Sequence, residues 1–264
     1  MMLLVIDVGN TNTVMGAMEN GQVAHRWRVT TSQRTTDEFG ILLSRLLEYR
    51  GISPSDIEGV CVSCVVPSIL YAIEKACRRY LQQTALVIGK GMKTGMHVRT
   101  DNPKEVGADR IVNAVAAFEY YKTAVVVVDF GTATTLDCVS SRGEYLGGAI
   151  APGFGISAEA LFLKTAKLPK VEVEKTEHVI GKNTITSMQA GLYWGYVGLV
   201  DKLAGRCKAE LRILSKQSDL PVHCVATGGL ANLVGQSCEE IDRIDDTLTL
   251  CGLWLLHQRN ISHR

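Results

Sequence analysis

Leu3-Leu4-Val5-Ile6-Asp7-Val8-Gly9-Asn10-Thr11-Asn12-Thr13 decides the fold, because it returns later as Val125-Val126-Val127-Val128-Asp129-Phe130-Gly131-Thr132-Ala133-Thr134-Thr135. Each copy is an apolar run that ends on an aspartate and breaks into a turn of small and hydroxylic residues. Neither run alternates apolar with polar positions, which is the pattern of a central strand covered on both faces by helices. Each copy continues as a second short strand, a polar turn (Glu19-Asn20-Gly21 and Ser140-Ser141-Arg142-Gly143) and a third strand. The chain therefore reads as an α/β protein of two similar lobes, each opened by a three-strand meander. Its 264 residues can bury a large core in either one or two domains. The joint falls near residue 115, which gives an N-terminal lobe of 1–115 and a C-terminal lobe of 116–264. No Pro- or Ser-rich linker separates them, so closely packed lobes flanking a cleft are expected.

Outward from the repeat, Thr36 or Asp37 can cap a helix that places Phe39, Leu42, Leu43, Leu46 and Leu47 on one face and ends at Gly51. A strand is predicted over 57–66, a helix over 67–80 and a last strand of the first half over 85–88. The second half answers with a long helix over 184–208, a strand over 222–226 and a closing helix over 247–257.

Composition excludes several classes of function. Lys plus Arg number 28 against 27 for Asp plus Glu, so no general field exists to hold a nucleic-acid backbone or an anionic membrane. An anionic ligand must be held by local groups. The apolar opening is interrupted at Asp7 and lacks the basic flank of a signal peptide. No apolar stretch reaches membrane-spanning length. Eight cysteines scattered through a chain of this length do not make a secreted disulfide framework, which points to a reducing cytoplasm. Cys61-Val62-Ser63-Cys64 has CxxC spacing, but it lies in an apolar run and no second CxxC completes a zinc site. Buried strand residues are the expected reading there.

The chemistry concentrates in four places. A strand that ends on Asp7 or Asp129 and turns through Gly, Thr and Asn sets a carboxylate beside a row of N–H and hydroxyl donors, which suits a phosphate with its metal ion. One such turn would be an ordinary hairpin. Two of them at equivalent places would face each other across the cleft and hold a polyphosphate from both sides. A third element, Ala226-Thr227-Gly228-Gly229-Leu230, is a strand that runs into glycines. The fourth is Asp101-Asn102-Pro103-Lys104-Glu105-Val106-Gly107-Ala108-Asp109-Arg110-Ile111-Val112, a turn entering a helix that points Ile111, Val112 and Val115 inward. Asp109 then stands at the positive end of the helix dipole, and the adjacent guanidinium of Arg110 could grip a carboxylate. The fingerprints of a P-loop and of a Rossmann site are absent from the sequence.

The paired turns and the Gly228-Gly229 element resemble the actin-like ATPase superfamily, and the ordered set of motifs resembles one family within it, the type III pantothenate kinases. That set is Asp7-Val8-Gly9-Asn10-Thr11-Asn12-Thr13, Ser63-Cys64-Val65-Val66-Pro67, Gly107-Ala108-Asp109-Arg110, Asp129-Phe130-Gly131-Thr132-Ala133-Thr134, Gly148-Ala149-Ile150-Ala151-Pro152-Gly153, Asn183-Thr184 and Thr227-Gly228-Gly229. The resemblance implies a duplicated ribonuclease-H-like fold, each lobe a mixed five-stranded sheet flanked by helices, with the nucleotide in the cleft. It implies ATP-dependent phosphorylation of pantothenate to 4'-phosphopantothenate, the first step of coenzyme A biosynthesis, with Mg2+ and a monovalent cation (K+ or NH4+). It also implies a homodimer that binds pantothenate and ATP, in the cytoplasm, with no nucleic-acid or membrane partner.

Carried over residue by residue, Asp109 is the catalytic base. The stretch Asp7 to Val14 (Asp7, Val8, Gly9, Asn10, Thr11, Asn12, Thr13, Val14), together with Thr132, Gly228 and Gly229, binds ATP and its phosphates. Asp7 orients magnesium through water and Asp129 holds the monovalent cation. Thr100, Gly107, Ala108, Asp109, Arg110 and Thr184 line the pantothenate pocket. Family members often carry Tyr where this chain has Thr100, and Ser where it has Cys64. Two other readings use the same features: a kinase of another small acceptor, and a non-catalytic nucleotide-binding regulator that assists transcription. The stretch Gly191-Leu192-Tyr193-Trp194-Gly195-Tyr196-Val197-Gly198 sets aromatics and glycines on a predicted helix, where they serve either a dimer interface or the protomer core.

Overall fold

The computed structural model describes residues 2–89 and 91–261. Its chain forms two compact units: the first comprises residues 1–95, 104–116 and 247–264, the second residues 96–103 and 117–246. The chain passes between the units after residues 95, 103, 116 and 246.

The first unit holds a five-stranded sheet of order β3-β2-β1-β4-β5, built from β1 (Met2–Val8), β2 (Asn12–Glu19), β3 (Gln22–Thr30), β4 (Ile57–Cys64) and β5 (Ala85–Val87). β1, β2 and β3 form the antiparallel meander, while β4 runs parallel to β1. β1 is apolar as far as Asp7 because both of its faces are covered. On one side lie α1 (Thr36–Glu48) and α2 (Pro67–Tyr80), whose Phe39, Leu43, Leu47, Ile69 and Ile73 join Leu4, Ile6 and Val8 in one core. On the other lies α7 (Leu248–Ile261), which meets the sheet at two glycines: a Cβ on Gly16 would lie 3.0 Å from Leu250, and one on Gly59 would lie 2.9 Å from His257. The residue that caps α1 is Thr35, ahead of both expected candidates, Thr36 and Asp37. Its Oγ1 accepts from the Glu38 backbone N–H while the Glu38 carboxylate accepts from the Thr35 N–H at 2.7 Å. This reciprocal pair satisfies two end donors at once, which an isolated Thr36 cap would not.

The second unit repeats the plan. Its sheet has the order β11-β10-β7-β8-β9-β6, with β6 (His97–Val98), β7 (Ala124–Phe130), β8 (Ala133–Val139), β9 (Glu144–Pro152), β10 (Val222–Gly228) and β11 (Arg243–Ile244). β7 to β9 form the second meander, and β10 runs parallel to β7 as β4 does to β1. Two sheets with the same connectivity are the duplicated ribonuclease-H-like fold of the actin-like ATPases. The sixth strand, β6, exceeds the five expected. Two residues in length, it carries no periodicity, and it is held by the Arg99 N–H donating to the Tyr145 carbonyl at 2.8 Å and by the Arg99–Glu144 ion pair at 2.9 Å. The hydrogen bond from Arg99, helped by the charge of Arg142, holds the Glu144 carboxyl below the usual carboxylate range.

α5 (Thr184–Ser215) runs beyond its expected end at 208, to Lys216 in the left-handed conformation that closes it. Its Leu192, Tyr193, Tyr196, Val197 and Val200 bury against β7 and β10. Tyr193 and Tyr196 therefore fill the protomer core rather than a surface. α4 (Phe154–Lys164) packs Phe154 against Tyr196 with ring centroids 4.9 Å apart, and the short α6 (Ala231–Val234) follows β10.

Candidate functional site

In the first unit, β1 carries Asp7 one residue before its end, paired across to Val14 of β2 and alongside Ser63 of β4. The turn that follows is held by its own backbone. The Gly9 N–H donates to the Asn12 carbonyl at 3.0 Å, and a Cβ on Gly9 would sit 3.1 Å from that oxygen. Thr31, absent from the predicted site, supports the turn from behind. Its N–H donates to the Thr11 carbonyl at 2.9 Å and its hydroxyl to the Gly9 carbonyl at 2.8 Å. Thr31 Oγ1 also lies 2.9 Å from Thr13 Oγ1, so the buried Thr13 hydroxyl braces the turn from within while Asn10 and Thr11 stand exposed. Only adjacency of β2 and β3 could have revealed Thr31. Burial, with the Asp7 carboxylate adding to it, pushes the Cys64 thiol above its ordinary value against the lowering effect of the Val66 backbone, and the thiol donates to the Val66 carbonyl at 3.2 Å. Cys64 is thus a protonated neighbour of Asp7. Cys61 is fully buried in β4, as the apolar run indicated, and burial raises its thiol to about 12.

The same unit carries the start of α3 (Ala108–Tyr121). Asp109 lies in the first turn, and its Oδ1 accepts from the Arg110 backbone N–H at 2.9 Å. A Cβ on Gly107 would fall 2.5 Å from Asp109 Oδ1, so the carboxylate is folded back over a residue that must lack a side chain. Asp109 Oδ2 takes no hydrogen bond from any described residue. Ile111, Val112 and Val115 point inward as the spacing predicts. A Cβ on Gly252 of α7 would come within 2.4 Å of the Val112 carbonyl, so α3 and α7 approach backbone to backbone. The Thr249 hydroxyl donates to Asn113 Oδ1 at 2.7 Å across the same contact. Since α7 also packs on β1, the elements that carry Asp7 and Asp109 are braced on one helix.

In the second unit, β7 carries Asp129 one residue before its end and β10 runs beside it, with Thr227 opposite Asp129 and Gly228 opposite Phe130. Gly228 has φ +94°, and a Cβ there would meet Asp129 Oδ1 at 2.4 Å and the Phe130 backbone N at 2.7 Å. The Asp129 carboxylate therefore rests in a cradle that a side chain would fill. Hard oxygen donors in such a cradle fit a cation of the alkali or alkaline-earth type. Among the described residues, no group of three or more His, Cys, Asp and Glu side chains converges as a metal cage. Gly153, which closes the Gly148 to Gly153 motif, backs the turn after Asp129: a Cβ there would lie 2.0 Å from the Thr132 carbonyl and 2.7 Å from that of Gly131. Tyr196 donates its hydroxyl to the Pro152 carbonyl and lies 2.8 Å from Ser157 Oγ, which holds the end of β9 in place behind the turn.

Two of the expected substrate residues fall in the second unit. Thr184 is exposed at the first position of α5, where Asn183 Oδ1 accepts from the Thr186 N–H at 2.9 Å to cap the helix. Thr100 follows β6. Its Oγ1 is enclosed and has no hydrogen-bond partner among the described residues, so contact with a substrate would require the side chain to turn.

A family model described as type III pantothenate kinase matches residues 3–206. A type III pantothenate kinase of Myxococcus xanthus is 54% identical over 260 residues, covering 98% of this chain and 99% of that protein. One of Geobacillus kaustophilus is 47% identical over 260 residues, covering 98% of each. Among solved structures, a Campylobacter jejuni protein crystallised as a conserved candidate of the Baf family of transcriptional activators aligns with TM-score 0.55 at 16% identity, over 98% of this chain and 99% of that one. The activator of the 2-hydroxyisocaproyl-CoA dehydratase from Clostridium difficile aligns with TM-score 0.51 at 14% identity, over 100% and 97%. At these identities the structural likenesses speak to the fold alone. With the family model and near-complete alignments at about half identity on top of the paired turns and the Asp109 helix start, the chain belongs to the type III pantothenate kinases.

Proposed function

We propose that Asp109 is the base that accepts the proton of the attacking hydroxyl as this chain phosphorylates pantothenate. The activity itself is that of the family: ATP-dependent conversion of pantothenate to 4'-phosphopantothenate, the first step towards coenzyme A. The observation that carries the base assignment is the Asp109 carboxylate, folded over Gly107, with one oxygen on a helix N–H and the other unused by the described residues. A loose phosphoryl-transfer transition state asks little covalent work of the protein, so a carboxylate that receives the proton late is sufficient.

ATP with a divalent metal ion supplies the phosphoryl group and neutralises its charge when bound. The turn after Asp7 presents the exposed Asn10 and Thr11 and its backbone donors to the phosphates, with Asp7 placed to orient the hydrated metal. In the second unit the exposed Thr132 and the Gly228-Gly229 turn take the corresponding role. Arg110, Gly107 and Ala108 line the pantothenate pocket, Arg110 meeting its carboxylate, and Thr184 contributes from the start of α5.

Asp129 in the Gly228 cradle is the site we assign to a monovalent cation. In a magnesium-containing assay, replacing potassium or ammonium by lithium should remove most of the turnover, and unchanged turnover would reject that assignment. No described helix is long and apolar enough to cross a membrane. A cytoplasmic enzyme without nucleic-acid or membrane partners is the reading that this and the balanced charge support.

The second unit also supports a homodimer. Ile150, Val179, Ile180 and Leu163 are more than half exposed, and a Cβ on Gly191, Gly195 or Gly198 of α5 would meet nothing within 4 Å. These glycines recur on one side of the helix, opposite the buried tyrosines, so the surface rather than the aromatic core carries the interface. Light scattering should give twice the 28.7 kDa chain mass at micromolar concentration. A fully active monomer would overturn the dimer.

A further inference from the structure

Thr31 follows Thr30, the last residue of β3, and belongs to none of the motifs that suggested the site. All of its bonds go to the turn after Asp7: its N–H to the Thr11 carbonyl at 2.9 Å, its Oγ1 to the Gly9 carbonyl at 2.8 Å, and its Oγ1 against Thr13 Oγ1 at 2.9 Å. A hydroxyl has one proton to donate, and a carbonyl oxygen can only accept. The Thr31 proton therefore lies on the Gly9 bond, and the bond between the two hydroxyls runs from Thr13 to Thr31. The order of donation is Thr13 to Thr31 to Gly9. Thr13 is only 2% exposed, and its single proton is engaged in this chain, so its hydroxyl has nothing left to donate outward. The same bonds fix two peptide planes. No described peptide bond is cis, so the carbonyl and the N–H of each plane point opposite ways. With the Gly9 and Thr11 carbonyls drawn to Thr31, the Asn10 and Asn12 N–H groups face away from it. The Gly9 N–H closes the loop on the Asn12 carbonyl at 3.0 Å, and the side chains of Asn10 and Thr11 are exposed. Backbone donors turned out of a tight loop are an anion cradle.

We infer that Thr31 is a positioning residue for the phosphates of ATP, and that the Thr13 hydroxyl acts through Thr31 rather than as a ligand of those phosphates. The inference rests on reading the turn after Asp7 as a phosphate site. Thr31 touches no phosphate; it sets the direction in which the Asn10 and Asn12 N–H groups point. Without its hydroxyl the Gly9 carbonyl is free to rotate, and the Asn10 N–H rotates with it because the two share a plane. The Thr11 carbonyl keeps its bond to the Thr31 N–H, so the loop stays attached to β3 while its first donor loses its aim. No bond of Thr31 reaches α3, where Asp109 and Arg110 stand, so the loss falls on ATP and spares pantothenate.

The test compares Thr31→Val, which loses the hydroxyl but keeps the N–H and the branched shape, with Thr31→Ser, which keeps the hydroxyl. Thr31→Val should lower kcat/KM for ATP by about 10²-fold, the scale of an ångström-sized misplacement. It should also weaken the binding of ATP with magnesium, measured by calorimetry without pantothenate. KM for pantothenate should stay near wild type, and Thr31→Ser should recover most of the loss. Adding Thr13→Val to Thr31→Val should cost nothing further, because both substitutions remove the same chain of donation. A wild-type kcat/KM for ATP in Thr31→Val, whatever its thermal midpoint, overturns the inference. So does a serine variant as impaired as the valine variant, or a loss confined to KM for pantothenate. Additive losses in the double variant would return the Thr13 hydroxyl to the phosphates and overturn its assigned part. Thr31→Ala removes the same hydroxyl and carries the test should the valine variant fail to fold. A wild type that binds ATP but forms no 4'-phosphopantothenate would refute the proposed reaction, and the calorimetric comparison would still decide on Thr31. A wild type that binds no ATP overturns both.

Discussion

Asp109→Asn should lower kcat by about 10²- to 10⁴-fold, the range for losing a positioned general base. Asparagine keeps the size of the side chain and can still accept the Arg110 N–H through its oxygen, so the start of α3 should hold and the thermal midpoint should stay near wild type. The three roles open to this residue then separate in the kinetics. A helix cap alone would leave turnover almost unchanged. A residue that mainly binds substrate would raise KM while kcat held. A base lowers kcat and kcat/KM together. A kcat close to wild type would therefore remove Asp109 from the chemistry.

Gly228→Ala is the second substitution with a large expected effect. The added methyl would lie 2.4 Å from Asp129 Oδ1 and 2.7 Å from the Phe130 N, at a backbone φ of +94°. It must displace either the carboxylate or the end of β7. A misplacement on the ångström scale costs on the order of 10²-fold in rate, and backbone strain adds roughly 1–3 kcal/mol of lost stability. Gly51→Ala separates the two contributions. Gly51 also has positive φ, +71°, yet a Cβ there meets nothing within 4 Å, and it is remote from the site residues in sequence. It should lose stability while keeping its turnover. If Gly228→Ala behaved like Gly51→Ala, with reduced stability and full activity, the cradle around Asp129 would have no part in the reaction.

The duplicated strand-and-turn was legible because β1 and β7 are covered on both faces, and such strands must be apolar without interruption until the sheet edge, where Asp7 and Asp129 stand. The first turn of α3 was legible for a similar reason: Ile111, Val112 and Val115 declare its buried face, which places Asp109 at the helix start. What stayed hidden depends on contacts between residues far apart in the chain. α7 returns to the first unit through Gly16, Gly59 and Gly252, and a glycine within a helix or strand does not say which neighbour it admits. Thr31 is one threonine among many until β3 lies beside β2. Gly153 reads as a loop residue, yet it fits beneath the Thr132 carbonyl with no room for a methyl. Tyr193 and Tyr196 fitted either a core or an interface by type, and only the packing of α5 on the second sheet chose the core.

The most direct measurement of the central claim is phosphate transfer itself. The purified chain, incubated with ATP, magnesium, potassium and pantothenate, should form 4'-phosphopantothenate in amounts equal to the ADP released, as read by mass spectrometry, with other small hydroxyl acceptors left unmodified. Nucleotide binding without transfer to pantothenate, or faster transfer to a sugar, would contradict it.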